Sequence, residues 1–184
     1  MTNLFSLLDL PIRYDVDLRQ LDESFFKISR QKHPDRFAAL GIEAKKAAEQ
    51  EFALINEAYA KIKDSESRLD LLLEIANISK PERSSENDIP KDLAEHFFEL
   101  QELRMENPEK AIVAAESFSK NIKDHLEQTR KEIEVLATNT NWDALGKTDS
   151  DKTNIEQIVK LRANSSYLKS LLNNIDRLFR RQHV

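Results

Sequence analysis

The chain has 184 residues, enough for one domain or two small ones, with 40% hydrophobic and 33% charged residues and no cysteine, so disulfides and thiolate metal sites are excluded. Its 2 glycines, Gly41 and Gly146, are fewer than the turns of a sheet-rich fold require, which favours helices. The net charge of −5 divides into −3 for residues 1–76 and −2 for residues 77–184, and with neither part a polycation no nucleic-acid partner is expected.

From the N-terminus, Leu4 to Leu8 predicts a short opening helix, with Pro11 as its stop. Met1 to Leu10 contains Asp9 and has no basic residue ahead of its apolar ones, so it is not read as a signal peptide. No run approaches the ~20 apolar residues of a membrane span. The expectation is a cytoplasmic protein with no membrane partner. Asp17 with Gln20 has the form of a capping box opening a second helix. In it Leu18, Leu21, Phe25 and Ile28 recur at spacings of three or four and share one side.

The tripeptide His33-Pro34-Asp35, followed by Arg36, interrupts the pattern. Proline cannot continue a helix, and it pushes the residue before it out of the helical region. An exposed loop is therefore expected here. Gly41 precedes a third helix, in which Ala48, Phe52, Ile55, Tyr59 and Ile62 keep the same period. The two apolar stripes can pack as a hairpin. Ser65 through Ile75 predicts a shorter fourth helix with Leu69, Leu72 and Leu73 facing inward.

Residues 77–90 are polar and bracketed by Pro81 and Pro90, which marks a linker. Beyond it, Lys91 to Glu106 predicts a helix with Leu93, Phe97, Leu100 and Leu103 on its inner face. Pro108 fits the first turn of the next, where its missing N–H costs nothing. Ile112, Ala115, Phe118, Ile122, Leu126, Ile133 and Leu136 carry that helix through about seven turns. Gly146 would close the segment after Trp142, and a last helix runs from about Lys152 to Arg181. The expected architecture is all-α: a hairpin domain over residues 1–76, a linker, and a three-helix bundle over residues 91–184.

The His-Pro-Asp tripeptide between two amphipathic helices resembles the J-domain of the DnaJ-type co-chaperones. Arg36 stands where a lysine is more usual and keeps the charge. The layout over the whole chain looks like the HscB-type J-proteins of iron–sulfur cluster biogenesis. Leu4 to Tyr14, Glu99 to Leu103 and Lys160-Leu161-Arg162 carry that closer likeness. The cysteine-pair module of many eukaryotic relatives is missing, so the chain resembles the bacterial form.

The resemblance implies a non-enzymatic co-chaperone with no cofactor. Its His33-Pro34-Asp35 bend, Arg36 and the basic side of the second helix (Lys27 and Arg30) would dock on an HscA- or DnaK-type ATPase. Taken without it, that basic side is an ordinary solvated helix face. Asp35 would accept a bidentate bond from a partner arginine, and Pro34 would stiffen the bend. The first helix after the linker would bind an IscU-like scaffold protein through Phe98, Glu99, Glu102 and Glu106. Tyr167 would stand in for the aromatic that the family carries just after Lys-Leu-Arg, where this chain has Ala163. Ala94 and Glu95 also depart from the large apolar residues usual there. Phe98 has two readings on the helical wheel: an exposed contact residue ringed by carboxylates, or one packed on a neighbouring element.

Two other functions fit the same residues. A J-protein could serve a different client through its bundle. His33 and Asp35 could form an acid–base pair, but no nucleophile, metal cluster or phosphate loop accompanies them, and His96, His125 and His183 are scattered without ligand spacing.

Overall fold

The computed structural model describes residues 3–78, 91–144 and 148–179, so the linker residues from Ser79 to Pro90 and the proposed Gly146 stop lie outside the described residues. Seven α-helices are present among them: α1 (Leu4–Leu7), α2 (Leu18–Lys32), α3 (Ile42–Lys63), α4 (Ser65–Ile75), α5 (Lys91–Glu106), α6 (Pro108–Thr138) and α7 (Asp149–Phe179). Two 3-10 turns, Pro34–Leu40 and Trp142–Ala144, complete the described elements, and none of these is a strand. No described helix is long and apolar enough to cross a membrane. The chain divides into two compact units. One comprises Met1–Ser79 with Thr140–Asp151, the other Lys80–Asn139 with Lys152–Val184.

In the first unit α1 starts where the Asn3 side chain accepts the Phe5 N–H at 3.0 Å. It ends at Leu7, well before Pro11, because Asp9 takes a left-handed conformation (φ 52°) and the Leu10 N–H donates back to the Phe5 carbonyl at 3.0 Å. Proline is therefore not the stop. Asp17 caps α2, accepting the amides of Arg19 at 2.8 Å and Gln20 at 3.4 Å. Asp64 caps α4 through the Ser67 amide at 2.8 Å, and that bond holds its carboxyl below the usual range.

Helices α2 and α3 are antiparallel. Pairs across the interface run in opposite senses: Asp22 with Lys63, Phe25 with Tyr59, Lys32 with Glu51, His33 with Phe52. The predicted stripes supply the core. Leu21, Ile55 and Ile62 are fully buried, together with Phe5, Leu8 and Leu72. Each such side chain contributes about 1.5–3 kcal/mol on leaving water. Leu18, expected on the inner stripe, is 46% exposed because it sits on the first helical turn. Leu71 joins the predicted Leu69, Leu72 and Leu73 in the core.

Arg68 is the buried cation of this unit. One guanidinium N–H donates to the Ile62 carbonyl at 2.6 Å, and the group lies over the Tyr14 ring at 5.0 Å. The last carbonyls of α3 lack intrahelical partners, and Arg68, reaching back from α4, satisfies one of them.

In the second unit α5, α6 and α7 share one cluster of buried residues. Leu100 comes from α5, Ala115, Phe118 and Ile122 from α6, and Leu168, Leu171 and Ile175 from α7. Pro108 occupies the first turn of α6, and the Asn107 side chain caps it by accepting the Lys110 amide at 3.0 Å.

Candidate partner-docking site

The bend after α2 is built from its sequence in a short chain of causes. Pro34 disfavours helix for the residue before it, so His33 is extended (φ −61°, ψ 129°) and α2 stops at Lys32. Pro34 then opens the 3-10 turn Pro34–Leu40, with the Arg36 N–H donating to the His33 carbonyl at 3.0 Å. The expected open loop is thus a hydrogen-bonded turn. It ends at Gly41, whose φ of 104° and ψ of 169° suit glycine alone.

His33 works inward. Its Nδ1 accepts the Asp35 backbone N–H at 3.3 Å, and its ring stands edge-on to Phe52 with centroids 5.3 Å apart. The Asp35 side chain is 83% exposed, and its carboxylate lies 3.6 Å from His33 Nδ1. Arg36 closes the bend from the other side, donating to the Arg30 carbonyl at 3.2 Å in the last turn of α2. The turn and the end of α2 are therefore tied at three points, and the carboxylate is the exposed group among them.

The hairpin beneath is braced by polar contacts on its rim. Phe25 stacks on Tyr59 with centroids 4.1 Å apart, and the Tyr59 hydroxyl donates to Asp22 at 2.7 Å. Lys63 donates to the same carboxylate at 3.3 Å. The Tyr59 bond, then the Lys63 bond, holds the Asp22 carboxyl below its usual range. Lys32 pairs with Glu51 at 2.8 Å nearer the bend. Lys27 and Arg30 are exposed, and neither joins an ion pair among the described residues. Phe26, which the periodicity did not single out, stands in the same basic face at 65% exposure.

On α5 Phe98 is exposed and not packed into the core of its own unit. Its side chain is 64% exposed, and Glu95, Glu99, Glu102 and Glu106 around it are exposed as well. Met105, 89% exposed, lies seven residues on and so shares the stripe of Phe98 and Glu102. It escaped the sequence reading because a lone methionine beside Arg104 carries no periodic signal. Tyr167 does not stand with this group at the surface. It is half-buried and packs against the bundle core, and Ala163 is buried. His96 stacks on Phe118 with centroids 5.9 Å apart, a packing role.

A helical hairpin ended by a pinned His-Pro-Asp bend, in an all-helical chain with a three-helix unit, is the fold of a J-domain followed by a helical domain. No protein-family model matches the chain. It is 28% identical over 144 residues to a Co-chaperone protein HscB homolog from Haemophilus ducreyi, covering 77% of this chain and 83% of that one. Its fold matches the chaperone HscB from Vibrio cholerae (TM-score 0.59, 24% identity, 98% of this chain and 99% of that one). It also matches the human co-chaperone protein HscB (TM-score 0.63, 20% identity, 97% and 82%). The HscB-type J-domain proteins are thus the family that this chain resembles in sequence and matches in fold.

Proposed function

We propose that this chain is a non-enzymatic, cytoplasmic co-chaperone that stimulates the ATPase of an HscA- or DnaK-type chaperone and delivers an IscU-like iron–sulfur scaffold protein to it. The exposed Asp35 carboxylate on a bend pinned by His33 and Arg36 carries the reading. A carboxylate held at one place on a stiff turn accepts a bidentate bond from a partner arginine with little ordering left to do. Lys27 and Arg30 steer the encounter with an acidic surface and fix its register. Docking favours the chaperone conformation that hydrolyses ATP, because the bend binds that conformation better.

The second unit supplies the client. Phe98 and Met105 form an apolar strip among Glu99, Glu102 and Glu106, which suits a partner with an apolar patch ringed by basic groups. Holding both partners on one chain raises their effective concentration. Any cluster in this process is cargo carried by the scaffold.

Chaperone ATPase rate, titrated with the full chain in the presence and absence of scaffold, tests both halves. Asp35→Asn should abolish stimulation at unchanged helicity. Phe98→Ala with Glu99→Lys and Glu102→Lys should weaken scaffold binding while stimulation without scaffold persists. Normal stimulation by Asp35→Asn would overturn the docking half, and full scaffold affinity in the triple variant the client half. A second reading is a J-protein for a different client. The burial of Ala163 and the packing of Tyr167 into the core favour it, since the expected second aromatic is then missing from the surface. Recovery of the scaffold in a pull-down separates the two.

A further inference from the structure

The outer side of α2 carries an aromatic residue that the bend does not need. Phe26 is 65% exposed, and among the described residues its ring stacks on no other ring and takes no cation. On a helix, residues four and seven apart share a stripe. Phe26 is therefore in line with Arg30 and with the Cα of His33, which lies about 10 Å further along the axis. With Lys27, Arg30 and Arg36, and with Asp22 and Glu23 beside it, Phe26 lines a shallow depression of about 700 Å³. Asp22 is already engaged by Tyr59 and Lys63, so the ring is bordered by three cations, Lys27, Arg30 and Arg36, against the single remaining carboxylate of Glu23. An exposed phenylalanine that opens a row of lysine and arginine running to the bend is the composition of a binding hot spot, not of a solvated face.

We infer that Phe26 is the apolar anchor of this docking face: it enters a nonpolar pocket with an acidic rim on the ATPase partner, while Lys27, Arg30 and Arg36 meet the rim. The inference rests on the docking reading and deepens it. The cations govern the rate and orientation of encounter, and the ring governs how long the complex lasts. A chaperone without such a pocket would gain the steering and lose the lifetime, so Phe26 is also a specificity residue between chaperones.

The test uses the full chain with a purified HscA- or DnaK-type ATPase, titrating stimulation at several salt concentrations. Phe26→Ala should raise the half-stimulating concentration about tenfold, leave the plateau rate unchanged, and leave the slope of log affinity against log salt unchanged. Arg30→Ala should flatten that slope. Phe26→Leu should recover most of the lost affinity, as a hydrophobic contact requires. Wild-type affinity in Phe26→Ala, with Asp35→Asn still inactive, would overturn the anchor and leave the docking reading standing. An active Asp35→Asn would remove the docking reading and the anchor with it. Self-association of the free chain that disappears in Phe26→Ala would make a second copy the occupant and overturn the inference.

Discussion

Replacing Arg68 by methionine keeps most of the side-chain volume and removes the donor. The structure gives three quantities to lose. The bond to the Ile62 carbonyl is a charged donor on a buried acceptor at 2.6 Å, worth about 1.5–3 kcal/mol. The guanidinium over Tyr14 at 5.0 Å contributes about 0.5–1 kcal/mol. The cation also sits at the C-terminal end of α3, where the helix dipole adds a few tenths. The loss should be about 2–4 kcal/mol, confined to the first unit. Native-state hydrogen exchange of the full chain reads it locally. Amides of Ala48–Ile62 and Leu69–Leu73 should lose protection by that amount, while those of Ala111–Ala137 and Ile158–Ile175 keep theirs. Arg68→Lys, which retains charge but not the fork, should fall between. A change below about 0.5 kcal/mol in Arg68→Met would refute the reasoning, because the α3 carbonyl would then be satisfied without the guanidinium.

Three further outcomes are expected. Gly41→Ala should destabilise the first unit by about 1–3 kcal/mol, read by urea unfolding. No atom lies within 4 Å of the added methyl, so the loss is one of backbone conformation alone, and D-alanine at the same position should not cause it. Asn107→Ala removes the cap of α6 and should cost about 1 kcal/mol in the second unit, with Asn107→Asp restoring it, by thermal unfolding. Asp22, Asp64 and Asp151 are all held below the usual carboxylate range, by Tyr59 and Lys63, by Ser67, and by Thr148 with Asn141 respectively. Such groups stabilise fully above about pH 4 and lose that contribution as pH falls through their lower native values. Lys63, raised by Tyr59 and then Asp22, acts in the opposite sense: its contribution disappears only as pH rises past about 10.4. Unfolding followed from pH 7 to 2 should show the acid loss, and Asp22→Asn should make it smaller.

The helices were legible wherever an apolar period met a cap or a proline. Ser65–Ile75 and Lys91–Glu106 fall where the pattern places them, and Pro108 stands in the first turn of α6. The end of α1 was not legible, because a single aspartate in a left-handed conformation stops it and proline, four residues on, only looks like the stop. Nor was the turn after α2: a 3-10 segment has neither the helical nor the strand period over seven residues. The residues of the bend could be named from their letters and given parts to play, yet the particular bonds among them could not. Only the structure shows His33 and Arg36 bonding to backbone with the Asp35 carboxylate exposed. Arg68 and Phe26 are the mirror cases. A charged residue is buried because a helix end needs a donor, and an aromatic one is exposed although its neighbours are polar. Hydropathy assigns both to the wrong side.

The segment Thr140–Asp151 groups with the first unit although it joins two helices of the second. A fragment cut after Ser79 would therefore discard twelve residues that its own unit holds, among them the chain's only tryptophan, Trp142, which is 2% exposed. That indole is a native optical label. Its emission should be blue in the native chain and shift to the red when the segment Thr140–Asp151 opens, so one fluorescence trace can follow that segment in an otherwise spectroscopically mixed molecule.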